Sequence, residues 1–193
     1  IYIYIYIYNI MADEYINIKY NNGRLFPSWV LLNFKKYQLP EYIQKHGEDP
    51  CQMKKTKLEL RKYQDFLSKF LDYKSPYKSA LVYHGLGSGK TVTAINVYNM
   101  LYNNNPDWNV FILIPASLKK DPWEKDLNVW LSSKDKKERF DNIRFIHYDS
   151  PYADKNFLDQ VKQADSSKNN IYIFDETHNF IKNVYNNIIS TTG

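Results

Sequence analysis

A glycine-rich loop at residues 84–91 constrains this chain more than any other feature of its sequence. The segment HGLGSGKT follows the apolar run ALVYH at 80–84 and precedes a helical pattern at 90–103. It contains three of the six glycines in the chain, Gly85, Gly87 and Gly89. Glycine permits positive φ and close approach to an anion, so backbone N–H groups and a helix N-terminus can surround phosphate oxygens. The sequence therefore predicts a phosphate-binding loop between a strand and a helix.

The residue types in this loop indicate how it would hold a nucleoside triphosphate. Lys90 would reach the β- and γ-phosphates, and the hydroxyl of Thr91 would ligate Mg²⁺. One position departs from the strict phosphate-loop pattern, because His84 stands where glycine is usual. A chance glycine turn before a helix is the alternative. The predicted nucleotide-binding residues of the loop are Gly85, Leu86, Gly87, Ser88, Gly89, Lys90 and Thr91.

A second candidate catalytic segment is the apolar run IYIFD at 171–175, followed by Glu176. Its apolar residues predict a buried strand with Asp175 at its end. Mg²⁺ prefers oxygen ligands and keeps several waters, so Asp175, Thr91 and phosphate oxygens would suit it. Glu176 would then orient the attacking water. An ordinary strand end is the alternative. We predict ATP and Mg²⁺ as cofactors, and Lys90, Asp175 and Glu176 as catalytic residues.

Apolar runs alternate with helical patterns from residue 57 onward. Strands are predicted at 80–84, 110–114, 143–147 and 171–175, and helices at 57–72, 90–103, 121–131 and 155–164. Short apolar strands separated by helices are typical of βαβ units around a buried parallel sheet. Ligands of such sheets bind beyond the carboxyl ends of the strands, where the loop and Asp175 both fall. We expect an α/β P-loop NTPase domain at 57–193, with a mainly parallel sheet flanked by helices.

The first ten residues, IYIYIYIYNI, are what an alternating AT repeat would encode. Residue types with AT-rich codons dominate the whole chain, and Met11 follows the repeat at once. We therefore predict that 1–10 are translated upstream DNA and that native protein begins at or just after Met11. A β-strand is less favoured, because a strand with an Ile face and a Tyr face would form an aggregation-prone sheet edge. A signal peptide is less favoured, because the basic N-terminal region of such peptides is absent.

Turn signals between residues 11 and 56 predict an irregular N-terminal extension, with helices near 28–36 and 40–46. Two short low-complexity segments, 103–105 and the lysine-rich 134–139, are predicted as surface loops.

Composition excludes several classes of protein. Hydrophobic residues make up 44% and charged residues 24%, which argues against a disordered chain, a coiled coil or a collagen-like fibre. No apolar run in the chain is long enough to cross a bilayer, so no membrane partner is expected. The single cysteine, Cys51, fits a reducing intracellular setting. The net charge of +5 is compatible with a polyanionic partner without being diagnostic of one.

The loop GLGSGKT together with DETH at 175–178 resembles motifs I and II of superfamily 2 helicases, and such NTPases often relax the position of His84. The segments YHGLGSGKT, ILIPASLKKDPWEKDL and FIHYDSPY resemble, more narrowly, the Snf2-like helicases of large cytoplasmic DNA viruses. That group includes the poxvirus nucleoside triphosphatase I and the small subunit of the early transcription factor. The resemblance covers roughly residues 57–182 and implies the first RecA-like lobe of a motor.

The resemblance also implies roles for residues outside the two motifs. Gln64 in LRKYQDFL would read adenine, with a polar residue on an exposed helix face as the alternative. Three residues of PASLKK would contact a nucleic-acid backbone, with a solvated loop as the alternative: Ser117, Lys119 and Lys120. His178 would couple nucleotide to nucleic acid. Trp123 matches a family tryptophan but is also expected in the core, and residues 148–150 are expected near the site.

By resemblance, the expected function is ATP-driven remodelling of DNA in viral transcription or replication, with RNA as the alternative substrate. A second RecA-like lobe supplying arginine fingers would follow in a longer protein, and this piece alone would turn ATP over weakly. Viral RNA polymerase is a candidate partner, and the host cytoplasm or the virion the expected location. Two alternatives stay open: a P-loop ATPase or kinase that does not act on nucleic acid, and a nucleotide-binding module without turnover.

Overall fold

The computed structural model describes residues 2–8, 34–39, 59–75, 77–85, 87–131 and 136–192. Within these residues the chain forms one five-stranded sheet in the order β2-β1-β5-β3-β4. The strands are β1 Tyr2–Tyr8, β2 Ser79–Tyr83, β3 Trp108–Ile114, β4 Ile143–His147 and β5 Asn169–Asp175. β3 pairs in parallel with β4 and β5, whereas β1 runs antiparallel to both of its neighbours. The predicted α/β class is confirmed.

Helices cover the sheet. They are α1 Lys62–Phe70, α2 Lys90–Asn104, α3 Lys125–Trp130, α4 Lys136–Asp141, α5 Ala153–Lys162 and α6 Thr177–Thr192. Short 3₁₀ turns lie at Lys35–Tyr37 and Ala116–Leu118, and one π turn at Lys119–Glu124. Of the helices predicted within the N-terminal extension, 40–46 lies outside the described residues and 28–36 lies mostly outside them. No helix of the described residues has both the length and the apolar character that a membrane span needs.

The strand β1 corrects the expectation that a strand at the repeat is disfavoured. That expectation assumed a sheet edge, but β1 lies in the middle of the sheet, between β2 and β5. Ile3, Ile5 and Ile7 are almost completely buried against one layer of helices. Tyr2, Tyr4 and Tyr6 alternate with these isoleucines and point to the opposite face, where the ring centroids of Tyr4 and Phe174 lie 6.0 Å apart. An Ile/Tyr alternation suits this strand because the isoleucine face is buried, whereas the tyrosine face is only partly covered and Tyr6 is exposed.

The predicted loops at 103–105 and 134–139 are wrong in part. Helix α2 continues to Asn104, and α4 begins at Lys136. Arg139 connects these two helices: it is 1% exposed, and its guanidinium stacks on the Tyr102 ring at 3.9 Å from the ring centre. Its guanidinium donates to the side-chain oxygens of Asn99 at 3.0 Å and Asn103 at 2.7 Å. A lysine-rich run therefore holds one buried arginine that ties α4 to α2.

The sheet separates two cores. The larger core packs α1, α2 and the segment around Trp123 against one face, which includes Ile171 and Ile173 of β5. The smaller, aromatic core lies on the other face. Because side chains alternate along a strand, Asp175 points to the same face as Ile171 and Ile173. The fold thus directs Asp175 toward the helices that carry the glycine loop.

Candidate functional site

The glycine loop adopts the backbone that its sequence predicts. Gly87 and Gly89 have φ of 71° and 80°, both in the left-handed region that favours glycine. A Cβ added at Gly89 would lie 2.7 Å from Nε2 of Gln64, so the loop is also closely packed there. The Ser88 hydroxyl donates to the Gly85 carbonyl at 2.7 Å and closes the turn. Leu86 lies outside the described residues.

Helix α1 braces this loop through side-chain hydrogen bonds to the loop backbone. The side-chain amide of Gln64 donates to the Gly89 carbonyl at 3.1 Å, and its oxygen accepts the Arg61 N–H at 2.8 Å. The neighbouring Tyr63 hydroxyl donates to the Ser88 carbonyl at 2.6 Å. Gln64 is 4% exposed, so the alternative of an exposed helix face is wrong. Its carboxamide keeps one N–H and one lone pair for a further partner, and adenine reading stays a prediction.

Helix α2 begins directly after the loop, with Lys90 and Thr91 in its first turn. The free N–H groups and the dipole of a helix N-terminus favour an anion at this point. Lys90 adds a cation, and Thr91 is 8% exposed. Burial, and then the Lys90 ammonium, lower the pKa of His84. The imidazole is therefore neutral at pH 7 and adds no charge to the loop.

Asp175 ends β5 with a buried carboxylate that is held at both oxygens. Oδ1 accepts the Glu176 N–H at 2.9 Å, and Oδ2 accepts the indole N–H of Trp123 at 2.8 Å. Trp123 is fully buried, which confirms its expected place in the core. Its hydrogen bond to Asp175 was not anticipated from the sequence. Within the described part of the chain, no lysine or arginine forms an ion pair with Asp175.

Glu176 stands in the left-handed region, with φ of 50°. Such a conformation costs a residue with a side chain roughly 1–2 kcal/mol and is found where a site requires it. The Glu176 carbonyl accepts the N–H groups of Asn179 at 2.8 Å and Phe180 at 3.4 Å, which start α6. Oε2 of Glu176 lies 3.5 Å from Nδ1 of His178. The DETH turn thus aims a half-buried carboxylate and an exposed imidazole along the same edge of the sheet.

Tyr148 supports this turn from the end of β4. Its hydroxyl lies 3.2 Å from the Asp175 carbonyl and 3.3 Å from the Glu176 carbonyl, and donates to both. Burial first, and then the three neighbouring carboxylates, raise the pKa of Tyr148 well above its usual range, so the hydroxyl remains a donor. The adjacent Asp149 accepts the Ala116 N–H with both oxygens at 3.2 Å. The expectation that residues 148–150 lie near the site is met by Tyr148 through direct contact.

The sheet order sets the spacing between the two halves of the site. β1 lies between β2, which leads into the glycine loop, and β5, which ends at Asp175. Two strand spacings amount to about 10 Å between the ends of β2 and β5. Tyr2 lies at this edge, stacked on Tyr83 at 4.9 Å, and the Thr177 hydroxyl donates to its carbonyl at 3.3 Å.

The residues present fit a magnesium ion with a nucleotide. A buried carboxylate without a neighbouring cation is unfavourable unless something else neutralises it. Among the described residues, no three His, Cys, Asp or Glu side chains form a metal cluster. An ion here would therefore draw on Asp175, on the Thr91 hydroxyl and on phosphate and water oxygens. That set of oxygen ligands is the kind that Mg²⁺ takes in nucleotide sites.

The candidate nucleic-acid residues lie on the segment that follows β3. Ser117 and Lys120 are exposed, while Lys119 is half-buried with its ammonium 5.4 Å from the centre of the Phe145 ring. The segment belongs to a 3₁₀ turn and a π turn, with extended backbone at Asp121. The predicted helix 121–131 is therefore shorter than expected, since regular α-helix begins only at Lys125 and ends at Trp130. Trp123 lies on the same π turn as the two lysines.

Comparison with known proteins identifies the family of this chain. Residues 57–192 match the family described as type III restriction enzyme, res subunit. The chain belongs to that family. Its fold is RecA-like, as the sequence resemblance implied.

Two relatives illustrate the similarity. One relative is a protein of Acanthamoeba polyphaga mimivirus that is named as an ATP-dependent RNA helicase. It is 52% identical over 191 residues, and the match covers 94% of this chain and 23% of the relative. The nucleoside triphosphatase I of Choristoneura biennis entomopoxvirus is 32% identical over 131 residues, covering 65% of this chain and 19% of the relative. The chain thus spans less than a quarter of the length of either protein.

Proposed function

We propose that this chain is the ATP-binding first lobe of a viral superfamily 2 motor that couples ATP hydrolysis to remodelling of nucleic acid. The observation that supports this most is the pairing of a braced glycine loop with a buried, uncompensated Asp175 at one edge of the sheet. Membership of the res-subunit family, and relatives named as a helicase and a nucleoside triphosphatase, point the same way.

Each residue of the site would contribute a distinct part of the chemistry. The loop N–H groups and the Lys90 ammonium would bind the β- and γ-phosphates, because both present positive charge at the start of α2. Bound Mg²⁺ would offset phosphate charge, held by Thr91 and Asp175. Glu176 would orient the attacking water. His178, 3.5 Å from Glu176, would link that carboxylate to a nucleic acid lying across the edge.

The finer parts of the proposal concern the whole motor. A second RecA-like lobe would supply arginine fingers, which are worth about 10³–10⁵ in rate, so this lobe alone should hydrolyse ATP slowly. We propose DNA as substrate, a Snf2-like mode of action in viral transcription or replication, viral RNA polymerase as a partner, and the host cytoplasm or virion as location. These proposals rest on the sequence resemblance.

The nucleic-acid role is tested by removing Lys119 and Lys120. Phosphate contacts release counterions, so DNA affinity of a two-lobed form should fall steeply as salt rises. Replacing both lysines by alanine removes two candidate contacts and should lower the log–log salt slope by at most about 1.8 for duplex DNA. ATP affinity should barely change. Fluorescence anisotropy over a salt series measures the slope.

Lys137 and Lys162 provide the matched control, because both are exposed and precede the amino ends of β4 and β5. Their double alanine variant removes the same charge and should leave the slope nearly intact. Equal slopes for all three proteins would show that residues 117–120 do not contact DNA. If a two-lobed protein binds neither DNA nor RNA, the result would instead favour the alternative of a P-loop ATPase that does not act on nucleic acid.

A further inference from the structure

The orientation of the Asp175 carboxylate depends on two donors from different parts of the chain. The Glu176 N–H bonds Oδ1 at 2.9 Å and comes from the next residue. The Trp123 indole N–H bonds Oδ2 at 2.8 Å and comes from 52 residues away in sequence. With one donor at each oxygen, rotation of the carboxylate would break a buried hydrogen bond. The lone pairs that remain are thereby aimed in a fixed direction.

Packing alone does not account for the hydrogen bond of Trp123. Trp108 at the start of β3 is also fully buried, and its indole nitrogen has no hydrogen-bond partner within the described part of the chain. The fold therefore accommodates a large buried indole without using its N–H group. At Trp123 the same group instead meets a carboxylate that lacks an ion-pair partner among the described residues. The two tryptophans differ in this one polar contact.

We propose that Trp123 is a positioning residue that holds Asp175 in the orientation needed to accept Mg²⁺ together with a nucleotide. The proposal rests on the proposed function of the site. Loss of a donor that hydrogen-bonds a metal-binding carboxylate, without itself touching the metal, typically lowers metal affinity by about 10- to 100-fold. Because Trp123 shares the π turn Lys119–Glu124 with Lys119 and Lys120, it also joins the candidate nucleic-acid segment to the metal ligand.

The variant Trp123→Phe tests this by keeping an aromatic ring and removing the donor. Titrating Mg²⁺ into the 193-residue chain with ADP present should require about 10-fold more metal for half-saturation. ADP affinity without metal should stay within about twofold, since Trp123 acts on the metal ligand alone. Trp108→Phe is the matched control, because that ring is equally buried but lies at the start of β3, about 20 Å along the strand from the carboxyl end at which the site lies. It should leave both affinities unchanged.

A spectroscopic measurement on the unsubstituted protein tests the same contact without depending on a variant's folding. The chain has four tryptophans and therefore four indole N–H resonances in a ¹H–¹⁵N spectrum. Mg²⁺ on Asp175 should draw electron density from Oδ2 and weaken the hydrogen bond from Trp123. The Trp123 resonance should therefore shift when Mg²⁺ is added to the ADP complex, and the Trp108 resonance should not.

The outcomes separate this inference from the proposed function. If Mg-ADP binds but the Trp123 resonance stays in place and Trp123→Phe retains its metal affinity, the positioning role is overturned while the nucleotide site stands. Equal losses of ADP affinity with and without Mg²⁺ would also overturn it, by showing a general structural role. A chain that binds no Mg-nucleotide at all would overturn the proposed function and this inference with it.

Discussion

Replacing Ile5 with alanine is expected to lower the free energy of unfolding by about 2–5 kcal/mol. Ile5 is completely buried, and its Cα pairs with Ala80 of β2 and Ile173 of β5. The loss combines reduced burial of apolar surface with a cavity that the flanking strands cannot fill by closing together. Urea denaturation followed by circular dichroism measures the change.

Tyr6 offers the matched control because it neighbours Ile5 and points to the opposite face, where it is 38% exposed. Tyr6→Thr keeps a residue that favours strands and should cost less than about 1 kcal/mol. If Ile5→Ala is as mild as Tyr6→Thr, residues 2–8 are not part of the folded sheet. That result would support their interpretation as translated upstream DNA, and the start at Met11 stays a prediction in either case.

Replacing Glu176 with glutamine is expected to reduce ATP hydrolysis by about 10²–10⁴-fold in a form of the protein that includes a second motor lobe. Glutamine keeps the shape of the side chain but loses the charge that would orient and deprotonate water. ATP affinity should be preserved, since Asp175 and the glycine loop are unaltered. Single-turnover hydrolysis and equilibrium nucleotide binding separate the two effects.

Glu138 serves as the control for this substitution, because it is an exposed carboxylate on α4, which precedes the amino end of β4. Glu138→Gln should hydrolyse ATP at the unsubstituted rate. If Glu176→Gln retains turnover while binding ATP normally, another group activates the water. His178, whose Nδ1 lies 3.5 Å from Glu176, would then be the next residue to replace.

Local sequence patterns predicted most strands and the main helices well. The run IRFIH gives β4 at 143–147 without error, and the glycine loop has the positive φ values that its glycines allow. These predictions are correct because hydrophobic period, segment length and backbone freedom are properties of a few neighbouring residues. Helix α6 at Thr177–Thr192 was not assigned, although its start is set by the carbonyl of Glu176.

The features that sequence could not supply depend on partners distant along the chain. The alternation in residues 2–8 indicates a strand, but its position between β2 and β5 is a property of the sheet. A tryptophan on an amphipathic helix indicates burial at Trp123, but not that its N–H group would meet Asp175. The buried Arg139 likewise depends on asparagines of α2, so a lysine-rich run gave no sign of it.

Calorimetric titration of Mg-ATP into the 193-residue chain and its Lys90→Ala variant tests the central claim most directly. A hydrogen bond to a charged group is worth roughly 1.5–3 kcal/mol, so losing the Lys90 ammonium should weaken Mg-ATP binding by about 10-fold or more. Lys74→Ala, which removes an exposed lysine between α1 and β2, should bind like the unsubstituted chain. Equal Mg-ATP affinity for all three proteins, with Lys90→Ala folded, would contradict the assignment of the glycine loop as a phosphate site.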